Sequence, residues 1–310
     1  MIFYYARLRR YRPLFRSLTG LTVQEFEELA DEILPQLADS DRQRLNQARP
    51  QRQRAMGGGR NSSLSMTDRL LLTMVWLRKY PNHETLGYLF GVSDSTAGRY
   101  IHQVLPVLEA AGRATMRLPD PGRKRGRNLD DLLQDVPELA VVVDTFEQAV
   151  QRPQSRTEAD TYYSGKKRRH TVKSQVTVDS YTGHIVDVAE SVPGPTADMT
   201  LLKQSGLMTR LPSEVGILGD LAYVGMAELH PQGLAAHPRR KPRGQPRPQA
   251  DVAYNTAFAR QRVIVEHSLL RMRRYEALTQ TDRNHRQVHT ERVAAVGLLV
   301  NHQLRSRFIH

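Results

Sequence analysis

The feature that most restricts the possible fold is an unbroken apolar run at residues 139–143, which leads directly to Asp144. Three consecutive valines in such a run favour a buried β-strand, because β-branched side chains pack well on a pleated surface. Before this run the apolar residues recur at helical spacing, and after it the pattern is typical of strands. The sequence therefore predicts an all-α region followed by an α/β region with a mixed sheet.

Two further strands are predicted after the apolar run. Residues 170–179 alternate as a half-exposed strand, and residues 183–190 pair with them through a tight turn, which makes a hairpin. A helix over 197–208 then precedes a strand at 215–219, which leads to Asp220. The order of three strands, a helix, a strand and later helices is that of a ribonuclease-H-like fold.

The N-terminal part of the chain is predicted to be helical. Thr22 and Glu25 have the spacing of a capping box, and apolar residues follow at helical intervals, which predicts a helix over 22–38. A second amphipathic helix is predicted over 67–79, and it ends before a proline.

A helix-turn-helix unit is predicted over residues 83–102. Its first helix stops at Gly91, a residue suited to the left-handed conformation that closes helices, and Ser93 can cap the second helix. The same spacing is compatible with an ordinary helical hairpin, so contact with DNA is a hypothesis here. The exposed start of the second helix offers three side chains to a DNA groove, namely Ser95, Thr96 and Arg99.

Changes in composition divide the chain into four regions. Residues 113–128 carry basic side chains among proline and glycine, which is typical of a linker laid along phosphates, although a merely solvated linker has the same composition. The residues predicted to bind DNA in it are Arg123, Lys124 and Arg125. The predicted organisation is an N-terminal helical region at 1–50, a helix-turn-helix DNA-binding domain at 51–112, a basic linker at 113–135 and a ribonuclease-H-like catalytic domain at 136–310.

The charge balance favours a polyanionic partner. The formal net charge is +13, and the isoelectric point is near 10.2. A membrane partner is not expected, because the apolar runs are far shorter than the roughly 20 residues of a spanning helix. The start of the chain lacks the pattern of a secretory signal, so a cytoplasmic, nucleoid-associated protein is expected. The chain has no cysteine, so any metal must be held by oxygen or imidazole ligands.

Three acidic residues are the candidate catalytic groups. Asp144 and Asp220 each follow a predicted strand, and Glu266 lies in an arginine-rich helical stretch. Three such carboxylates can hold divalent metal ions against a phosphodiester. Taken singly, an aspartate after a strand is more often a turn or helix N-cap residue, because its carboxylate accepts hydrogen bonds from free backbone N–H groups. In combination with the basic composition, the three acids point to an enzyme that cuts and rejoins DNA.

The chain resembles bacterial IS5-type DDE transposases, in the DDE superfamily endonuclease group related to Harbinger-like transposases. Three blocks carry the resemblance. They are residues 162–173, which read Tyr-Tyr-Ser-Gly-Lys-Lys-Arg-Arg-His-Thr-Val-Lys, residues 219–225 around the second acid, and Asn255 with residues 262–266 around the third. Helices with a helix-turn-helix also precede the catalytic core in that group.

The resemblance implies an insertion-sequence transposase that binds terminal inverted repeats, cleaves DNA strands and joins the 3′-OH ends to target DNA. It assigns Asp144, Asp220 and Glu266 as catalytic residues that bind two Mg²⁺ ions per active site, with Mn²⁺ as a substitute. It also implies double-stranded DNA as the partner. A homodimer or higher homo-oligomer on DNA is expected, because two transposon ends require two active sites held together.

Basic residues beside the proposed site are predicted to contact DNA phosphates. By resemblance, Arg262 matches an arginine four residues before the glutamate, and Arg273 falls where related transposases often have lysine. A helix-surface salt bridge between Arg262 and Glu266 competes with the first assignment, and a solvated loop is the alternative for the basic clusters. The predicted contacts in those clusters are Lys166, Lys167, Arg168, Arg169, Lys173, Arg240 and Lys241.

The chain departs from the family pattern at two positions. Ala259 stands where the signature commonly has tyrosine, which leaves an aromatic contact to DNA to Tyr254 or Tyr275. Thr145 follows the first aspartate where glycine is frequent. Asp198 resembles an acidic position common in the family, and its expected role is helix N-capping or dipole complementation.

Other functions are compatible with the same residues. A DNA-binding repressor or domesticated derivative would keep the fold without strand transfer, and a plain metal-dependent DNA endonuclease would share the site. Attack by Tyr162, Tyr163 or Tyr223 would form a covalent intermediate, but a two-metal pocket needs none, because only the attacking oxygen changes between cleavage and strand transfer. For His170 and His267, hydrogen bonding is expected rather than metal ligation.

Overall fold

The computed structural model describes residues 3–48, 63–122 and 139–308. Most of the predicted basic linker, with Arg123, Lys124 and Arg125, lies outside the described residues. Within the described ranges, no helix is long and apolar enough to cross a membrane.

The described residues form two compact units. Unit 1 takes its residues from 1–113, 274–280 and 294–310, and unit 2 takes them from 114–273 and 281–293. This division differs from the predicted one in two respects. It joins the predicted N-terminal region to the helix-turn-helix region, and it assigns two segments of the predicted catalytic domain to unit 1.

Unit 1 is helical, and a capping box fixes the start of its longest helix within residues 1–113. The hydroxyl oxygen of Thr22 accepts from the backbone N–H of Glu25 at 3.1 Å, and the Glu25 carboxylate accepts from the N–H of Thr22 at 2.7 Å. The predicted helix is confirmed, although it continues to Ala48. The helices of this part are α1 (Tyr5–Leu8), α2 (Arg12–Thr19), α3 (Val23–Ala48), α4 (Met66–Lys79), α5 (His83–Phe90) and α6 (Asp94–Thr115).

The predicted helix-turn-helix is formed by α5 and α6. Gly91 adopts a left-handed φ of 67° at the end of α5, as its position required. The hydroxyl oxygen of Ser93 accepts from the N–H of Thr96 at 3.2 Å and so caps α6. Leu86 and Ile101 are buried between the elements of unit 1. Both helix boundaries predicted from the sequence are therefore confirmed.

Unit 2 is built on a mixed seven-stranded sheet. Its strands are β1 (Ala140–Ala149), β2 (Tyr163–Ser164), β3 (Arg169–Asp179), β4 (Ile185–Val188), β5 (Val192–Pro193), β6 (Gly216–Leu218) and β7 (Ala235–Ala236). The main path runs β2-β3-β1-β6-β7, and β4 and β5 pair with β3. β1 is antiparallel to β3 and parallel to β6. The β3–β4 hairpin and the ribonuclease-H-like arrangement are confirmed.

Three sequence expectations about unit 2 are wrong. The strand predicted as half-exposed at 170–179 is buried on both faces from Thr171 to Asp179, because it lies between β1 and the β4 and β5 strands with helices over the sheet. Asp144 does not end its strand, because β1 continues to Ala149 and pairs with β3 along its whole length. The long antiparallel partner extends the strand beyond the apolar run, and Phe146 is buried there. The predicted single helix over 197–208 is two short helices, α8 (Asp198–Gln204) and α9 (Leu207–Arg210), because Gly206 takes a left-handed φ of 66° between them.

Helices cover both faces of the sheet around β1. Val141 and Val143 pack with α8, α9 and Ile217 in one apolar cluster. Successive strand residues point to opposite faces, so Asp144 faces the other way. On that face lies α10 (Gln249–Arg273), where the hydroxyl of Ser268 donates to the carbonyl oxygen of Gly183 at 2.7 Å. The other helices of unit 2 are α7 (Arg156–Tyr162) and the first turn of α11 (His289–Phe308).

A buried polar network fixes the first turn of α11 within unit 2. Arg292 and Asp282 form an ion pair with no exposed surface on either side chain, and one of its two hydrogen bonds is 2.6 Å long. Burial acts against ionisation of Asp282, but the ion pair with Arg292 holds its pKa below the usual range. His289 contacts the Gln148 amide oxygen at 2.9 Å and the Ser191 hydroxyl at 2.8 Å. Its burial lowers its pKa to about 3, so the ring is neutral.

Candidate active site

The parallel pairing of β1 and β6 brings Asp144 and Asp220 together. Val142 lies opposite Leu218 in that pairing, and each aspartate follows two residues later. Because neighbouring strands lie about 4.8 Å apart and residues two apart share a face, the two carboxylates come side by side. Two acids separated widely in the sequence thus form one acidic pair.

Asp220 also has the role that its position after a strand suggests. Its carboxylate accepts from the N–H of Ala222 at 2.8 Å and caps the 3₁₀ turn Leu221–Tyr223. The turn begins directly after β6, so the cap holds the carboxylate at the strand end next to β1. Capping and a place in the acidic pair are therefore compatible, because a carboxylate has about four lone-pair positions.

The pKa of Asp144 is raised by its burial and by the negative charges of Asp220 and Asp198. The N–H of Thr145, which donates to the carboxylate at 2.8 Å, and the guanidinium of Arg262 act in the opposite direction. The raised pKa means that the contacts of the buried carboxylate do not fully offset its loss of water. A cation is the natural complement to such a group.

Arg262 supplies positive charge beside the pair. Its Nη2 lies 3.3 Å from Oδ2 of Asp144, and both side chains are mostly buried. Glu266 lies one turn further along α10, on the exposed surface. Among the described residues, no ion pair joins Arg262 to Glu266, and no three acidic or histidine side chains converge as a metal-binding group. The structure therefore brings together Asp144, Asp220 and Arg262, but it does not bring Glu266 to them.

Asp198 is a further acid near the pair, and it contacts side chains of the adjacent strands β1 and β3. The Nζ of Lys173 donates to Oδ1 of Asp198 at 2.8 Å and to the carbonyl oxygen of Thr196 at 2.5 Å. The hydroxyl of Thr145 donates to the same carboxylate at 3.1 Å. Asp198 is the first residue of α8, and its side chain makes no capping hydrogen bond there. Its negative charge interacts favourably with the positive end of the helix dipole.

Lys173 is not part of an exposed basic surface, contrary to the sequence prediction. The side chain is buried, and its ammonium group donates hydrogen bonds to Asp198 and to the carbonyl oxygen of Thr196. The reason is its position on β3, where it pairs with Glu147 inside the sheet. Sequence reasoning treated Lys173 and Asp198 separately. The register of β3 on β1 fixes the position of Lys173, and the start of α8 fixes that of Asp198. Together they place the two side chains in an ion pair next to the acidic site.

Tyr223 is a fully buried side chain close enough to the acidic pair to interact with its charges. Its hydroxyl has no hydrogen-bond partner among the described residues. Burial raises its pKa strongly, and the carboxylates of Asp198, Asp144 and Asp220 raise it further because they oppose a phenolate. The hydroxyl therefore stays protonated, which makes it a poor nucleophile.

The other predicted DNA contacts lie on exposed surfaces of the two units. In unit 1, Arg99 is exposed, whereas the hydroxyls of Ser95 and Thr96 lie 3.1 and 2.9 Å from that of Ser93. In unit 2, the turn between β2 and β3 and the stretch after β7 carry exposed basic residues. These are Lys166, Lys167, Arg168, Arg169, Arg240 and Lys241, and Arg273 is exposed at the end of α10.

The tyrosine and histidine residues near the predicted DNA contacts differ in their exposure to solvent. Ala259 is exposed on α10, and the nearby Tyr254 stacks on Phe258 and lies under Arg239, with the guanidinium 4.2 Å from the ring centre. Tyr275 is buried in unit 1, so it presents no ring to a partner. His267 is exposed, and the ring of His170 packs edge-on against that of Tyr163.

Two protein-family models match the chain. The model of the DDE superfamily endonuclease matches residues 143–301, which begin one residue before Asp144 and include Asp220 and Glu266. The model of the helix-turn-helix of the DDE superfamily endonuclease matches residues 62–114, which include α4, α5 and most of α6.

The chain is also similar to individual proteins. It is 24% identical over 290 residues to the probable transposase for insertion sequence element IS702 of Microchaete diplosiphon, with 94% of each chain covered. Among solved structures, it is similar to the Mos1 transposase paired-end complex with left transposon end, at 12% identity, with 85% and 83% of the two chains covered and a TM-score of 0.27. For the Mos1 mariner paired-end complex with Mn, identity is 13%, coverage is 81% and 79%, and the TM-score is 0.26.

Proposed function

Since the chain belongs to the DDE superfamily endonuclease family, we propose that it is an insertion-sequence transposase that cleaves DNA at its element's ends and joins the 3′-OH ends to target DNA. The predicted family, the DDE transposase type of enzyme and the helix-turn-helix are confirmed. The observation that carries the proposal for chemistry is the adjacent pair Asp144 and Asp220, placed by parallel strands inside the matched residues. End recognition, strand transfer and metal identity are part of the proposal.

The acidic pair fits a divalent metal, which endonucleases of this superfamily generally use. Asp144 and Asp220 offer adjacent carboxylate oxygens, the ligands that Mg²⁺ prefers. The guanidinium of Arg262 already lies against Asp144 and shows that the site accepts positive charge. We propose Mg²⁺, two ions per site, with Mn²⁺ as a substitute. Glu266 is proposed as the third ligand, and because it does not converge with the pair among the described residues, it would have to approach the pair when metal and DNA bind. When bound, the ions stabilise the negative charge that grows on the attacking and leaving oxygens.

The reaction proposed for these residues is a direct displacement at phosphorus. In cleavage, a water oxygen forms a bond to phosphorus while the bond to the 3′-oxygen of the DNA breaks, the water gives up a proton to solvent, and the leaving 3′-oxygen takes a proton from solvent. In strand transfer, the 3′-OH of the element attacks a phosphorus of the target DNA, and the 3′-oxygen of the target strand leaves with a proton in the same way. No protein side chain is bonded to DNA at any stage, which agrees with the protonated, buried hydroxyl of Tyr223.

Each nearby side chain has a positioning role in this proposal. The capped 3₁₀ turn after β6 fixes Asp220, and the N–H of Thr145 orients Asp144. Among the described residues, the ion-pair partner of Arg262 is Asp144. The guanidinium of Arg262 can therefore neutralise either that carboxylate or a DNA phosphate. Lys173 and Thr145 hold Asp198 close enough to influence Asp144 without exposing it.

DNA binding is proposed to use the helix-turn-helix and the exposed basic segments. The start of α6 presents Arg99, and the turn between β2 and β3 presents four consecutive basic residues that suit phosphate contacts. Two ends must be joined to one target, so we propose that two copies of the chain assemble on two end DNAs. Measurement of particle mass with and without end DNA tests this assembly.

The catalytic proposal is tested by neutral substitutions at the three acids. Asp144→Asn, Asp220→Asn and Glu266→Gln are each expected to abolish metal-dependent cleavage of labelled terminal-repeat DNA, while a binding-shift assay shows nearly unchanged affinity. Matched controls are Asp160→Asn and Glu228→Gln, exposed acids of unit 2, which are expected to cleave normally.

The outcomes separate the competing functions. Full activity of any one of the three variants removes that residue from the site. Cleavage by the wild-type protein without joining of the ends to target DNA would identify a plain endonuclease. Binding of end DNA without cleavage, in the presence of Mg²⁺ or Mn²⁺, would identify a repressor.

A further inference from the structure

A second basic site lies in unit 1, outside the residues predicted to bind DNA. It is a groove of about 930 Å³ between α2, the start of α3 and the end of α4. Four arginines line it, and one acid does so as well. We call this the arginine groove, and its charged lining residues are Arg9, Arg12, Arg16, Arg78 and Glu27.

The single acid of the arginine groove is already paired. Glu27 contacts the guanidinium of Arg9 at 2.8 Å and accepts the hydroxyl of Tyr5 at 2.5 Å. Arg12 and Arg16 are exposed and lie one turn apart on α2. Neither forms an ion pair with any residue that the structure describes. Two of the four positive charges thus face the groove without an anion.

Arg78 extends the positive charge into the wall of the groove. Its guanidinium lies over the ring of buried Tyr275, 5.2 Å from the ring centre, and its Nε is buried with no hydrogen-bond partner among the described residues. Burial and the neighbouring charge of Arg274 lower its pKa. A half-buried cation with an unused donor is costly unless an anion approaches it.

We propose that the arginine groove binds consecutive phosphates of the backbone of duplex DNA. This inference rests on the proposed function. DNA is the favoured source of the phosphates because Arg78 lies on α4, inside the residues that match the family's helix-turn-helix, so the groove adjoins a DNA-binding module. Guanidinium groups contact phosphates in pairs of hydrogen bonds, and such contacts fix the register of a protein on DNA without reading its sequence.

The salt dependence of binding provides the test. Each phosphate contact contributes about −0.9 to the slope of log K against log salt concentration for duplex DNA. The double variant Arg12→Gln/Arg16→Gln is expected to reduce the steepness of that slope by about 2, and to weaken terminal-repeat DNA and random duplex DNA by the same factor. The matched control is Arg42→Gln, which removes an exposed arginine of α3 outside the groove. Arg42→Gln should leave the slope unchanged.

Several results would overturn the assignment. An unchanged slope in the double variant is one, and a loss confined to terminal-repeat DNA is another, because it would indicate base contacts. Binding of inorganic phosphate by the wild-type protein that the double variant loses, with an unchanged DNA slope, would identify a site for a small anion instead. Thermal melting of the double variant should match the wild type, because both side chains are exposed and form no ion pair with the described part of the chain.

Failure of this inference can be told apart from failure of the proposed function. If the wild-type protein binds and cleaves end DNA but the double variant keeps the wild-type slope, only the arginine groove assignment fails. If the wild-type protein binds no duplex DNA, both fail.

Discussion

The hydroxyl of Tyr223 allows a sharp test of the site, because its removal changes one atom. The side chain has no exposed surface and packs with Val141 and Ile217 in the apolar cluster of unit 2. Its oxygen lacks a hydrogen-bond partner among the described residues. Tyr223→Phe therefore removes a polar atom that was taken out of water without a replacement for its hydrogen bonds.

The expected effect is stabilisation of the metal-free protein. Burial of a hydroxyl without a partner costs about 1–3 kcal/mol in proteins, so Tyr223→Phe should raise the free energy of unfolding by about 1–3 kcal/mol. For a unit of this size, each kcal/mol corresponds to about 2–4 °C in the melting temperature. Few single substitutions stabilise, so the direction itself is informative.

Urea unfolding in the presence of a metal chelator measures this effect. The unfolding midpoint should rise while the dependence on urea concentration stays the same, because the surface exposed on unfolding does not change. Tyr163→Phe is the matched control, since that tyrosine is in the same unit and is 48% exposed. Its hydroxyl already meets water, so its loss should change stability by less than about 0.5 kcal/mol.

Opposite results would refute the reasoning. Destabilisation by more than about 1 kcal/mol would mean that the hydroxyl makes a net favourable hydrogen bond in the folded protein. The same variant also tests the chemistry, because cleavage of end DNA should persist in it. Complete loss of cleavage with an intact fold would support a tyrosine nucleophile in place of water.

Two further predictions concern pH and recognition. The pKa of His289 is about 3 in the folded protein, against about 6.5 for an unperturbed histidine, so the unfolded chain binds one more proton between these values. Stability should therefore fall as the pH drops from about 6.5, by up to about 1.4 kcal/mol per pH unit. Urea unfolding between pH 7 and 4.5 should show a shallower pH dependence in His289→Gln, and an equal dependence in both proteins would contradict this. Arg99→Ala should reduce discrimination between terminal-repeat and random DNA, by about 1–3 kcal/mol for a bidentate base contact. Equal weakening on both DNAs would place Arg99 on phosphate.

The sequence by itself determined the local elements and the class of fold. Caps and breakers act over a few residues, so Thr22 with Glu25, and Gly91 with Ser93, fixed helix boundaries that the structure confirms. The apolar run before Asp144 indicated the central strand for the same reason, because three valines favour a buried strand whatever its partners are.

The tertiary structure decided where strands end and which side chains meet. The length of β1 depends on its pairing with β3, so the sequence placed the end of that strand too early. The pairing of Asp144 with Asp220 follows from the register of β1 on β6, and the pairing of Lys173 with Asp198 follows from the place where α8 meets the sheet. Burial is decided in the same way, since it made Tyr275 and Lys173 inaccessible and left Arg12 and Arg16 facing a groove. Contacts between residues far apart in the chain depend on packing that no local pattern encodes, and the groups around this site are contacts of that kind.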